Sequence, residues 1–229
     1  MSQLLPHITF ETGKNPQHSI IWLHGLGADG EDFLPLAEEM NLPVPVRYVF
    51  PHAPMRPVTI NGGFVMRAWY DILAAAASGG LVAGDDSRQD AAGIRSSQAE
   101  IEKLVAQEKQ RGIAARNIYL AGFSQGGAIV LHTGLRLAEQ LGGLLALSTY
   151  LPLSGSLPLE AGSAAKHTPI FMAHGRSDPV IPYAMGRASA QQLSTWGYPL
   201  EWHEYAMPHS VCPEEVRDIE HWLAQRLGN

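Results

Sequence analysis

The chain has 229 residues, enough for one α/β domain around a single sheet, and no second domain is expected. Sixteen basic residues against 22 acidic ones give a formal charge of -6, spread along the chain, which argues against nucleic acid as a partner. A single cysteine, Cys212, excludes an intrachain disulfide. Residues 1–10 lack the basic start and apolar core of a secretory signal, so the expected location is cytoplasmic. Residues 117–135 and 140–159 are free of Asp, Glu, Lys and Arg, but each is broken by Gly, Ser, Gln, Thr or Pro. They read as buried strands and helices, and no stable membrane insertion is expected.

In chain order, residues 18–23 form a short β-rich run closed by His24-Gly25-Leu26-Gly27-Ala28-Asp29-Gly30, followed by an amphipathic segment over 33–40. The Gly25 loop matches the G-x-G-x-x-G of dinucleotide-binding folds. That reading needs an acidic residue at the end of the next strand, and the strand over 46–50 ends in Pro51-His52-Ala53-Pro54 instead. The alternative is a loop that turns a backbone N–H toward a developing oxyanion. Residues 51–71 make a long Pro- and Gly-rich connection with Met66 and Trp69 as pocket candidates. Phe64 and Tyr70 read there as cover for the sheet edge.

Residues 73–84 are rich in Ala and Gly, and Asp85 and Asp86 lead into a charged helix over 90–110. The acidic cluster Asp85, Asp86 and Asp90 lacks the spacing of a calcium loop and reads as a helix N-terminus, and no other metal-ligand spacing occurs. The run Ile118-Tyr119-Leu120-Ala121 then meets Gly122-Phe123-Ser124-Gln125-Gly126 and continues as an apolar helix. A serine on such a strand-to-helix turn projects its hydroxyl, and glycines two residues either side allow strand and helix to approach closely. Strands over 144–148, 168–173 and 200–205 alternate with a loop at 150–159 and helices over 182–196 and from Pro213. The alternation predicts an α/β fold with a mainly parallel central sheet covered by helices on both faces.

A serine hydroxyl becomes a nucleophile when a histidine takes its proton, and the histidine needs a carboxylate to fix its tautomer. Asp178 is the only carboxylate between Glu160 and Glu201. A helix-capping role is the alternative for it. Of the downstream histidines, His203 lies in a strand and His221 in a helix, whereas His209 lies in the loop between them. His24, His52 and His174 read as structural, and Cys212 as a small apolar residue.

With those residues in hand, the chain resembles bacterial carboxylesterases related to acyl-protein thioesterases and lysophospholipases. The likeness runs over nearly the whole length through Leu23-His24-Gly25-Leu26-Gly27, Met66-Arg67-Ala68-Trp69-Tyr70-Asp71, Gly122-Phe123-Ser124-Gln125-Gly126-Gly127, Leu151-Pro152-Leu153-Ser154-Gly155, His174-Gly175 with Asp178-Pro179, and His209. The resemblance implies a single-domain α/β-hydrolase with Ser124 as nucleophile, Asp178 as acid and His209 as base. It also implies an oxyanion hole from the backbone N–H groups of Leu26 and Gln125. Met66, Trp69, Leu153 and Val180 flank these segments and are expected to line a shallow groove for short to medium acyl chains. No cofactor and no metal are expected. The expected partner is a small-molecule ester or acyl substrate, with thioesters and lysophospholipids included and a homodimer compatible. The rival readings are a non-catalytic binding protein on a hydrolase scaffold and an oxidoreductase using the Gly25 loop.

Overall fold

The computed structural model describes residues 4–73 and 86–228. The Ala- and Gly-rich stretch beyond Leu73, together with Asp85, lies outside the described residues. Nine strands are described: β1 His7–Glu11, β2 His18–Leu23, β3 Val46–Pro51, β4 Met55–Val58, β5 Phe64–Arg67, β6 Ile118–Phe123, β7 Gly143–Leu147, β8 Ile170–Gly175 and β9 Leu200–Tyr205. The helices are α1 Leu34–Glu39, α2 Ala91–Gln110, α3 Gln125–Gly134, α4 Leu157–Glu160, α5 Tyr183–Thr195 and α6 Pro213–Leu227. Seven strands form one sheet in the order β1-β3-β2-β6-β7-β8-β9, parallel throughout except for β1, while β4 and β5 pair as a separate hairpin.

Central strands read as unbroken apolar runs because both faces are covered. In β2, Ile20 and Trp22 face one side and Ile21 and Leu23 the other, all essentially inaccessible. The first side packs on Ala37 of α1 and Ile219, Trp222 and Leu223 of α6. The second packs on Ile94, Ile101 and Leu104 of α2, on Ala128 to Leu131 of α3, and on Ala190 and Leu193 of α5. The expected helix-covered sheet is therefore present. Burying a leucine or isoleucine at such positions contributes about 1.5–3 kcal/mol each relative to exposure.

Two features differ from the sequence reading. β1 is an additional edge strand, antiparallel to β3, with a mixed, half-exposed pattern. The connection over 51–71 contains the β4–β5 hairpin, with Met55 pairing opposite Arg67 and Val58 opposite Phe64. Phe64 is 68% exposed, so it does not cover the sheet edge as expected. At the start of α2, the Asp90 side chain accepts the Gly93 N–H, as the capping reading of the acidic cluster required. Asp86 instead accepts the N–H groups of Gly155 and Ser156. Among the described residues no group of three metal-ligating side chains converges, and no helix is long and apolar enough to cross a membrane.

Candidate active site

Ser124 stands between β6 and α3 at φ 55° and ψ -121°, a region that residues with a side chain rarely occupy. Two hydrogen bonds hold it there: its N–H donates to Leu147 O at 2.8 Å, and the Thr149 hydroxyl donates to its carbonyl at 2.7 Å. The flanking glycines are sterically required. A Cβ on Gly122 would come within 2.6 Å of the Gly126 carbonyl group, so strand and helix do meet there. A Cβ on Gly126 would come within 2.4 Å of Leu23 O and 2.5 Å of His24 O, so at that glycine the obstruction is the end of β2.

His209 lies in the loop after β9, and its Nε2 is 2.9 Å from Ser124 Oγ. Its Nδ1 is 2.7 Å from Asp178 Oδ2. An ionised carboxylate only accepts, so Nδ1 carries the hydrogen and Nε2 is left with a lone pair facing the serine hydroxyl. Asp178 follows β8 and is itself fixed: its Oδ1 accepts the N–H groups of Val180 at 2.8 Å and Ile181 at 2.9 Å. One oxygen of Asp178 thus meets His209 and the other caps a turn, while the helix-capping alternative does not form, because the residue before α5 is Pro182. His174 lies beneath, buried, with Nε2 2.9 Å from Ile181 O and 3.4 Å from Asp178 Oδ2. Burial lowers its pKa, which keeps the ring neutral and a donor to Ile181.

The Gly25 loop is tied down by four side-chain contacts. His24 Nδ1 donates to Gly25 O at 2.7 Å, and its Nε2 accepts the Ala53 N–H at 3.0 Å. Burial depresses the His24 pKa to about 4, with the Gly25 carbonyl opposing, so the ring is neutral and this tautomer persists near neutrality. His52 Nδ1 accepts the Gly30 N–H at 3.0 Å, and the Trp69 indole donates to His24 O at 2.9 Å. Within the loop the Gly27 N–H goes to Arg67 O and the Ala28 N–H to Gly25 O, while the Leu26 N–H has no acceptor among the described residues. Gln125 is the first residue of α3, where a backbone N–H lacks an intrahelical partner. Its side chain accepts the Trp69 N–H and donates to Tyr70 O, which fixes the start of the helix against residues 69–70. This arrangement disfavours the dinucleotide reading, since the Gly30 N–H is spent on His52 and a Cβ at Gly30 would lie 2.5 Å from Phe50 O.

A cavity of about 220 Å³ opens beside Ser124. Leu26, Gln125 and Val180 line it as expected or adjoin the serine, and its remaining walls include Ile60, Tyr70, Ile72, Tyr150 and Met185. Three of the four expected groove residues are not in its lining. Trp69 is fully buried and serves the Gly25 loop and Gln125 through its two N–H groups. Leu153 is 1% exposed, at φ 47°, with its N–H on Gln89 and its carbonyl on Arg136. Met66 lies against Gly27 and takes a contact from the Asn61 amide. Tyr70, read from sequence as edge cover, is a wall of the cavity. His203 and His221 remain on β9 and α6 near Asp218 and Gln225, and Cys212 caps α6.

Residues 7–227 match the phospholipase/carboxylesterase family. The chain is 35% identical to the acyl-protein thioesterase 1 of Gibberella zeae over 226 residues, covering 96% of this chain and 95% of that relative. It is 39% identical to the acyl-protein thioesterase 1 of Neurospora crassa over 215 residues, 91% of this chain and 86% of the other. Among solved structures, Arabidopsis thaliana SOBER1 superposes with a TM-score of 0.81 at 30% identity, covering 92% of this chain and 99% of that one. The Bacillus cereus carboxylesterase shares the fold, with a TM-score of 0.75 at 20% identity over 97% and 94% of the two chains. These relatives are fungal, plant and bacterial, so the likeness is wider than the bacterial group expected from sequence. The chain belongs to the phospholipase/carboxylesterase family and is a serine hydrolase of the α/β-hydrolase fold.

Proposed function

We propose that the protein hydrolyses carboxylic esters and thioesters of short to medium acyl chains through an acyl-enzyme on Ser124. The observation that carries this reading is the unbroken hydrogen-bond chain Asp178–His209–Ser124 at the mouth of the cavity. His209 Nε2 takes the Ser124 proton as Oγ attacks the acyl carbon. The carbonyl oxygen becomes an oxyanion and receives the Leu26 and Gln125 N–H groups, each such donor being worth about 2.7–4 kcal/mol in the transition state. The C–O or C–S bond then breaks, and the leaving group takes the proton from His209. A second depression, lined by Phe33, Leu36, Phe123, His209 and Val211, gives it an exit beside that proton. Water repeats the sequence on the acyl-enzyme, with His209 again taking and returning one proton.

The acyl group occupies the cavity between Tyr70, Ile72, Val180 and Met185, and each methylene it buries adds up to about 0.8 kcal/mol until the space is filled. The named thioesterase relatives support thioesters, including acyl groups on proteins, and the phospholipase/carboxylesterase family supports small esters and lysophospholipids beside them. All the groups named come from one chain, without a cofactor, and a cytoplasmic location is part of the proposal. A fluorophosphonate should label Ser124 alone. Ser124→Ala should lose labelling and at least about 1,000-fold in kcat with an unchanged circular dichroism spectrum. Labelling at another serine would overturn the assignment.

A further inference from the structure

The walls of the acyl cavity are not uniformly apolar, and their unused polar groups are of one kind. Tyr70 and Tyr150 both line the cavity, and their hydroxyl oxygens are 2.8 Å apart. That is the one hydrogen bond made by either hydroxyl among the described residues. Two hydroxyls carry two hydrogens and the mutual bond uses one, so whichever tyrosine donates, the other hydrogen has no acceptor. Burial raises the pKa of both phenols, Tyr150 to about 12 and Tyr70 well above its ordinary value, so neither becomes an anion that could absorb it.

Arg88, in a single 3-10 turn over Asp86–Arg88, lines the same cavity. Its guanidinium has no ion-pair or hydrogen-bond partner among the described residues, whereas Arg95 and Arg136 nearby both pair with Glu160. The carboxylates around it are already engaged. Asp71 accepts the Thr59 N–H and hydroxyl, Asp90 the N–H groups of Gly93 and Asp71, and Asp86 those of Gly155 and Ser156. Arg88 is only half-buried, so solvent reaches its guanidinium in the empty cavity, and an acyl chain that fills the space leaves these donors unsatisfied unless it brings an acceptor.

We infer that this cavity selects acyl groups carrying a neutral oxygen acceptor, a ketone or hydroxyl a few atoms from the scissile carbonyl, which receives the surplus tyrosine hydrogen and the Arg88 guanidinium. The charge balance decides between a neutral oxygen and a carboxylate. Asp71 and Asp90 line the cavity with Arg88, so the charged lining among the described residues sums to -1 and repels an anionic chain end. The inference rests on the acyl-enzyme reading above and specifies the acyl group that reading admits.

The test uses two 4-nitrophenyl esters of nearly equal shape, the 4-oxopentanoate and the 4-methylpentanoate, in which a carbonyl oxygen replaces a methyl group. With each kcat/KM divided by the ester's own hydroxide-catalysed rate, the oxo ester should be preferred by about 10-fold. Arg88→Met should reduce that ratio at least threefold, and so should Tyr70→Phe/Tyr150→Phe. A single tyrosine change is not informative, since it still leaves one unshared hydroxyl hydrogen. If the double variant does not fold, Arg88→Met alone decides, because that side chain holds nothing in place. A ratio near one in the wild type, or one unmoved by Arg88→Met, would overturn the inference, as would a hemiadipate ester outrunning the oxo ester. Failure of either ester to acylate Ser124 would strike the proposed function instead.

Discussion

Replacing Asp178 by asparagine tests how the histidine is oriented, because the surroundings dictate which way the amide must turn. Oδ1 accepts two backbone N–H groups, from Val180 and Ile181, and an asparagine placing its NH2 there would leave both unsatisfied. Each buried, unpaired N–H costs about 1–3 kcal/mol, so the amide oxygen must take that position. The NH2 then faces His209 Nδ1 where a carboxylate oxygen stood at 2.7 Å. A donor there forces Nδ1 to accept and moves the ring hydrogen to Nε2, the atom that must receive the Ser124 proton. The fold loses little, since the two N–H groups keep their acceptor, whereas the general base is present in the wrong tautomer. The corresponding change in a well-studied serine protease costs about 10,000-fold, and a loss of that order here corresponds to about 5.5 kcal/mol in the barrier. The assay is kcat for a soluble 4-nitrophenyl ester beside a thermal melt, with expected outcomes of about 10,000-fold and a Tm within about 3 °C. The argument would be refuted by kcat within tenfold of wild type at an unchanged Tm, which would reduce Asp178 to a turn cap.

Gly126→Ala should put a methyl against Leu23 O and His24 O, cost about 1–3 kcal/mol of stability and displace the Gln125 N–H, lowering kcat by about 100-fold. A melt and an ester assay check it, and wild-type turnover would show that the helix start does not position a donor. Glu215 of α6 is buried, and that burial pushes its carboxyl up to about 8 against the opposing pull of the Cys212 backbone. The folded chain therefore holds a proton that the unfolded chain releases from about pH 4.3 upward. Stability should fall as pH rises from there to about 8, by up to about 4–5 kcal/mol at 1.36 kcal/mol per unit. In Glu215→Gln, denaturant titrations at pH 5 and pH 8 should show that decline largely removed, and an unchanged slope would place its origin in another group.

How much was legible from sequence depended on whether a residue's role is local. The elbow could be read because strand, turn and helix are contiguous, and Gly122 faces Gly126 across only that turn. Asp178 and His209 were findable because each had few competitors between the relevant strands, and their meeting point follows from β6, β7, β8 and β9 lying side by side. The cavity walls were not legible. Trp69 and Tyr70 are neighbours in a bend just past the end of β5, where no regular period says which side chain turns which way, so the sequence pattern could not decide between them. Trp69 went under the Gly25 loop and Tyr70 into the cavity. Leu153 and Gln89 are brought together by a hydrogen bond across 64 positions, a proximity that no local pattern encodes. β1 was missed because an edge strand with a mixed, half-exposed pattern carries a weak apolar signal, and the hairpin because Pro57 and the Gly62-Gly63 pair read as loop.

The bonds that fix the Gly25 loop have a consequence for the timing of turnover. Its ties to His24, His52, Trp69 and Arg67 are made within the folded protein and require no substrate. The cost of ordering the loop is therefore met once per molecule, during folding, and not once per catalytic cycle. A right and a wrong acyl chain meet the same finished loop, so closure of this segment cannot act as a proofreading step. Selectivity must then arise from the fit of each chain against walls already in place, and a poor substrate fails by spending less time bound rather than by failing to trigger a movement.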